Sequence, residues 1–219
     1  TIMREVGTEL RPGDVWMLNA PYNGGTHLPD ITVVTPVFDE AGTEILFFVA
    51  ARGHHADVGG IAPGSMSPRA ASIEEEGIYI DPFRLVRGGR FREDAVRRLF
   101  TDAPYPARNV EQNIADLKAQ VAANEKGVTE LRKMVRQYGL ATVAAYMGYV
   151  QDNAADAVRK VISTLTSSRF ALETDQGSRI AVAIKIDRNA NKAVVDFTGS
   201  SVPTDTPFNA AEPSPRACV

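Results

Sequence analysis

Residues 30–55, DITVVTPVFDEAGTEILFFVAARGHH, decide the fold. Two apolar, β-branched runs, ITVVTPVF and EILFFVAA, flank DEAGT, a cluster of turn formers, so the stretch reads as a β-hairpin looped over residues 39–43. Pairing Phe38 with Glu44 across that loop sets Asp30 opposite Arg52 and His27 opposite His55. One turn thereby carries His27, Asp30 and the His54/His55 pair, which include every histidine of the chain, to the same open end of the ladder. Two imidazoles and a carboxylate suit a divalent cation such as zinc, manganese or iron, with positions left for water or substrate. A lone histidine near a strand end is ordinarily a hydrogen-bonding residue; the convergence is what points to metal. The spacing does not choose between His54 and His55. Pro29 stiffens the His27-to-Asp30 loop, and Gly24 and Gly25 permit close backbone approach. Asp57, three residues after His54, is available as a fourth ligand, a ligand orienter or a proton acceptor.

Working outward, the preceding VWMLN is another strand, and a Gly/Pro-rich connection, GGIAPGSMSPRAASIEEEG, follows the hairpin. Val110, Ile114, Leu117 and Val121, continued by Leu131, Met134, Val135 and Tyr138, form one helical stripe, with Gly127 as a weak point. Gly139 suits a cap. Leu140, Val143, Met147, Val150, Ala154, Ala157, Val161 and Leu165 then mark the buried face of a second long helix. RIAVAIKID and KAVVDFTGSS, joined by RNAN, return to strand. The pattern gives a β-rich part with the metal-site motifs (1–106), a helical part (107–170) and a C-terminal β part (171–219), read as one continuous domain. Strands cluster at both ends instead of alternating with helices, so the fold class is α+β, with a mixed or mostly antiparallel sheet packed with two long helices.

Composition narrows the partners. The 219 residues are 44% hydrophobic and 23% charged, ordinary for a globular chain. A net charge of -3 gives no electrostatic reason for nucleic acid or an anionic membrane as partner. The single cysteine, Cys218, is a bystander thiol, and there is neither a spanning apolar run nor a signal pattern, so a cytoplasmic protein is expected. Both ends look cut, which predicts a fragment with surface open to association, hence an oligomer.

Asp116, Gln120 and Asn124 fall in one polar row at four-residue spacing. Such a row ordinarily faces water, yet short Asp and Asn are poor choices for an exposed helix interior, so a substrate-binding cleft is the alternative. Asp196, Thr198 and Ser200 are either a simple strand end or hydrogen-bonding groups for a substrate. No P-loop, no dinucleotide fingerprint and no G-x-S-x-G elbow occurs, so any ATP must be bound elsewhere.

GDVWMLNAPYNGGTHLPDITVVTPVF, ARGHHADVGGIAPGSM, ARNVEQNIADLKAQVAANEKGVTELRKMVRQYG and VVDFTGSS resemble, in order, segments of the hydantoinase B/oxoprolinase family. These are large subunits or domains of ATP-dependent cyclic amide hydrolases of the N-methylhydantoinase and 5-oxoprolinase type, related to acetone carboxylase α subunits. The resemblance implies a divalent metal held by His27, Asp30 and His54, with His55 in a non-ligand position where many relatives carry an aromatic. Ala20 stands where many relatives have a carboxylate. It also implies a hydantoinase A-type partner, subunit or domain, that uses ATP and Mg to phosphorylate a small cyclic amide. Water activated by the metal would then open the lactam or hydantoin ring, with Asp57 orienting a ligand or accepting a proton. A ketone carboxylase-type subunit, an ATP-independent metal hydrolase and a non-catalytic scaffold are the alternatives.

Overall fold

The computed structural model describes residues 1–64 and 67–219; Ser65 and Met66, inside the Gly/Pro-rich connection, lie outside the described residues. In chain order the elements are α1 (Ile2–Val6), a 3-10 turn (Gly7–Glu9), β1 (Val15–Leu18), β2 (Asp30–Phe38), β3 (Ile45–His54), α2 (Ile73–Glu76), β4 (Phe83–Arg87), β5 (Arg90–Phe91) and α3 (Glu93–Thr101). Then come α4 (Val110–Tyr138), α5 (Leu140–Thr164), β6 (Ser168–Glu173), β7 (Arg179–Asp187), β8 (Lys192–Asp196) and α6 (Pro213–Cys218). The fold is α+β, with antiparallel sheets as expected. It divides into two compact units, Thr1–Leu131 with Thr204–Cys218, and Arg132–Pro203 with Val219, so the division falls inside α4.

The first unit is built on a five-stranded sheet in the order β3-β2-β1-β4-β5, every neighbouring pair antiparallel. Strand alternation sends Val15, Met17, Ile31 and Val33 to one face, where they join Leu85 of β4, Val96 and Phe100 of α3, and Ile114 and Leu117 of α4. Trp16, Leu18 and Phe38 bury on the other side with Ile2, Val6 and Leu10. Each such fully buried side chain stabilises the sheet by about 1.5–3 kcal/mol.

The hairpin exists, in a register two residues from the expected one. Asp30 lies opposite His54 and Thr32 opposite Arg52, up to Val37 opposite Phe47; a shift then pairs Phe38 with Ile45, leaving Leu46 as the extra residue of a bulge. Glu44 belongs to the turn: its carbonyl accepts the Asp39 N–H at 2.8 Å, while the Asp39 carboxylate takes the Thr43 and Glu44 N–H groups at 2.7 and 3.1 Å. Those donors, Glu44 first, hold the Asp39 carboxyl below its usual pKa. A slip of two preserves the facing of every side chain, which is why the expected convergence survives the wrong partners.

Asn109 caps α4, its Oδ1 accepting the Gln112 N–H at 3.3 Å. Asn113, Ile114, Leu117, Gln120, Asn124 and Val128 are buried along one face of the helix. Small residues let that face come close: a Cβ on Gly53 would stand 3.1 Å from the Gln120 amide, and one on Gly127 2.8 Å from Val49 Cγ1. Gly127 is therefore a close-packing position, and the helix runs through it unbroken, a point inside the helix and not its end, as expected. The Gln120 amide donates to the carbonyls of Ile31 (2.9 Å) and Ala51 (3.2 Å), and Asn124 to those of Val33 (3.0 Å) and Val49 (3.3 Å) and to Thr35 Oγ1 (3.1 Å).

The second unit holds the three-stranded antiparallel sheet β6-β7-β8 and α5. Of the eight positions expected to form the buried face of α5, only Val143 is buried. The 3.6-residue spacing marked the helix correctly but could not say what covers it. Sequence reading also passed over β4, β5 and α3, although Gly88-Gly89 between two short apolar runs and the Val96, Leu99, Phe100 spacing carried their signals. Among the described residues no helix is long and apolar enough to cross a membrane.

Asn124→Ala is expected to lower the unfolding free energy by about 1–3 kcal/mol, because it strips carbonyls on two strands of a buried donor. Its neighbour Glu125 is exposed, so Glu125→Ala should stay within about 0.5 kcal/mol. Urea unfolding of both variants checks this, and equal losses would mean that the Asn124 amide holds nothing.

Candidate metal centre

The loop before β2 is shaped from within. The buried Asn19 side chain donates to the carbonyls of Leu28 and Ile78, each at 2.8 Å, and accepts the Ile80 N–H at 2.7 Å. The Gly25 N–H donates to Ala20 O at 2.8 Å, and a Cβ on Gly25 would fall 2.1 Å from Asn19 O, so only glycine fits. This tight return brings Thr26 and His27 against Asp30, the first residue of β2.

Asp30 in turn faces His54, the last residue of β3, as a direct cross-strand pair. Its Oδ1 lies 2.9 Å from His54 Nδ1, and its Oδ2 lies 3.2 Å from both His27 Nδ1 and the Thr26 hydroxyl that donates to it. The two imidazole rings are 5.2 Å apart, centroid to centroid. One donor atom from each of His27, Asp30 and His54 falls within 4.8 Å of the others, a spacing that a small cation can bridge. The structure therefore brings together the three residues named from the sequence.

Period two separates His54 from His55. His55 points to the opposite face of the strand end and is 1% exposed. Gln120 uses its Nε2 as donor to strand carbonyls, so its Oε1 faces His55 Nε2 at 3.1 Å, which makes that nitrogen the protonated one. His55 Nδ1 then accepts from Asn113 Nδ2 at 3.2 Å; the same amide donates to Asp57 O at 2.8 Å. Burial pushes the His55 pKa below its ordinary 6.5, partly opposed by the Gln120 hydrogen bond, so the ring is neutral.

Asp57 stands outside the group of three. Its Oδ2 accepts the Arg108 N–H at 2.7 Å and its Oδ1 pairs with the Arg108 guanidinium at 2.8 Å, tying the chain after β3 to the approach to α4. Asp116 is half-buried and accepts from Gln112 at 2.8 Å. Gln120 and Asn124 are buried with their amide N–H groups on strand carbonyls. Ala20 is fully buried. In the second unit, the Asp196 carboxylate accepts the Thr198 N–H at 2.9 Å, and Ser200 Oγ bonds both the N–H and the carbonyl of Ala181. Sequence reading missed Asn19, Thr26, Arg108 and Asn113. Asn113 sits seven residues before Gln120 on the same helical face, which was the available signal.

An antiparallel hairpin that presents a His-Asp-His group at its open end, backed by a long helix, is a candidate metal site on an α+β fold. The Hydantoinase B/oxoprolinase family profile matches residues 1–219, and the chain belongs to this family. It is 43% identical to a 5-oxoprolinase of Dictyostelium discoideum over 98% of the chain and 18% of that protein, and 41% identical to 5-oxoprolinase 1 of Arabidopsis thaliana over 99% and 19%. The chain thus spans about a fifth of the length of these curated relatives. Among solved structures it resembles the ATP-dependent caprolactamase of Pseudomonas jessenii, at TM-score 0.74 and 28% identity over 89% of the chain and 34% of that one. A nucleotide-free acetone carboxylase shares the fold, at TM-score 0.76 and 18% identity over 95% and 30%.

The buried neutral His55 makes stability pH-dependent with a definite sign. The unfolded chain takes up a proton near 6.5 that the folded one refuses, so stability present above that pH is lost as pH falls from 6.5 toward the lower folded value. His55→Gln is expected to be less stable at about pH 7.5 and to lose less on going to about pH 5.5. Urea unfolding at both pH values reads the difference, and parallel losses in the two proteins would refute a neutral buried ring.

Proposed function

We propose that this chain is part of the metal-dependent hydrolytic subunit of an ATP-dependent cyclic amidase that opens a lactam or hydantoin ring of the 5-oxoproline or N-methylhydantoin type. The observation that carries the reading is the convergence of His27, Asp30 and His54. The 5-oxoprolinase and caprolactamase relatives support the substrate class.

The donor set fits a divalent ion. Neutral imidazole and carboxylate with no thiolate suit zinc, manganese or iron, and the open side of the group leaves room for water and substrate. When bound, the ion supplies Lewis acidity toward water and the substrate oxygen. The chain's own residues do the rest. Thr26 fixes the Asp30 carboxylate through its hydroxyl, and the cross-strand pairing aims His54 at it. Asp57 is a positioning residue, holding Arg108 and with it the segment that follows the His54 strand. A lactam amide is a poor electrophile; phosphorylation of its oxygen by an ATP-using hydantoinase A-type partner would turn it into an imidate-like phosphate ester. Water adding to that carbon would let the C–N bond break with the proton going to the amine, leaving an acyl phosphate from which a second water releases phosphate and the carboxylate. Carboxylation of a ketone is the second reading, favoured by 26% identity to the acetophenone carboxylase delta subunit of Aromatoleum aromaticum over the whole chain. A requirement for bicarbonate separates the two.

Elemental analysis of the full-length protein is expected to find zinc, manganese or iron near one per chain, lost in both His27→Ala and His54→Ala. Ring opening in the complex with its ATP-using partner should fall with the metal. Retention of metal and turnover in both variants would remove the site from the mechanism.

A further inference from the structure

Arg52 is the next outward-facing residue of β3 before His54, paired across the hairpin with Thr32 just as His54 is paired with Asp30. Residues two apart on a strand share a face at about 7 Å spacing, so the guanidinium lies on the side of the sheet that carries the His27, Asp30 and His54 group. Thr32 Oγ1 accepts from its Nε at 2.8 Å, and Gly24 O, in the loop that bears His27, accepts from its Nη2 at 3.3 Å. Both acceptors are neutral. Among the described residues no carboxylate pairs with Arg52. Its Nη1 has no hydrogen-bond partner among the described residues. A guanidinium fixed in direction yet uncompensated in charge, and exposed beside a set of metal donors, is built to receive an oxyanion.

We propose that Arg52 binds an anionic oxygen of the substrate: the carboxylate of a carboxylated lactam or the phosphoryl group of the activated amide. The assignment rests on the cyclic amidase reading and specifies the substrate class of that site. A ring substrate would sit with its reacting carbon toward the metal donors and its anionic group toward β3.

Calorimetric titration of the metal-loaded full-length protein with 5-oxoproline, pyrrolidin-2-one and inorganic phosphate tests this. If the anion is the substrate carboxylate, Arg52→Met weakens 5-oxoproline binding about ten- to a hundredfold; if it is the phosphoryl group, phosphate binding weakens by that factor. Affinity for uncharged pyrrolidin-2-one and the metal content should not change. Arg52→Lys, which keeps the charge but not the fork, should fall between. Wild-type affinity for both anions in Arg52→Met, or no binding of either anion by the wild-type protein, overturns the proposal. Should Arg52→Met lose its metal, Thr32→Val frees the guanidinium without removing it: weakened anion binding then supports the proposal and unchanged binding overturns it. The titration needs no turnover, so a wild-type protein that binds these anions but opens no lactam in the complex with its ATP-using partner would sink the cyclic amidase reading alone.

Discussion

The pairing of β2 with β3 in one register is the constraint on which the site depends. Asp30 meets His54 only when Thr32 faces Arg52 and Val33 faces Ala51. A slip of β3 by one residue would turn His54 to the core face, and a slip of two would set Arg52 against Asp30. The register is pinned at both ends. At the turn, Asp39 gathers the N–H groups of Thr43 and Glu44. Nearer the site, Gln120 and Asn124 of α4 each donate to carbonyls on both strands at once. A neutral hydrogen bond contributes only about 1 kcal/mol net. These bonds matter more for direction than for strength: a leucine at position 120 or 124 would pack against the hairpin in any register, whereas an amide is satisfied in one.

How far this was legible follows from which physical signal sequence carries. Alternation and turn residues are local, so the hairpin, its loop and the convergence of His27, Asp30 and the His54/His55 pair could be read directly, whereas the choice of His54 over His55 rests on the family resemblance. The bulge at Leu46 is not local. It arises where the turn hydrogen bonds and the packed strands must be reconciled; together with the pairing of Phe38 to Ile45 instead of Glu44 it moves the partners beyond it by two, so no face changes. The polar row on α4 was visible, but its burial was not, because an isolated stripe of Gln and Asn looks the same against water as against a sheet. The missing cue was on the other element: Ala51 and Gly53 on β3, with Gly127 on the helix, remove the bulk that would keep an amide from reaching main-chain oxygen. The apolar stripe of α5 shows the converse case, a period that identifies a helix while the structure leaves most of it exposed.

His54 and His55 show how one dipeptide divides between the candidate site and its support. The outward ring contacts the Asp30 carboxylate; the inward ring is locked between Gln120 and Asn113 in a single neutral tautomer. Two residues on, Asp57 grips Arg108 just before α4 begins. The end of β3 is therefore tied to the start and the middle of the same helix, and a displacement of α4 would reach the His54 backbone through bonds instead of through loose packing.

Charge distribution gives that arrangement its chemical direction. The Asp57 carboxylate is compensated by Arg108, and His55 is kept neutral by burial, so neither adds net charge behind the site. Asp30 is different: among the described residues its contacts are two imidazoles and a hydroxyl, with no lysine or arginine paired to it. A carboxylate between two imidazole nitrogens is a donor set that attracts a cation. Once a dication is there, the local balance changes sign, because the ion outweighs one carboxylate and Arg52 adds a further positive charge on the same face. The same few residues that favour a cation when the site is vacant would then favour an anion beside it. That balance would favour ring compounds carrying a carboxylate or a phosphorylated oxygen over neutral ones, through a residue two places from a candidate ligand on the same strand.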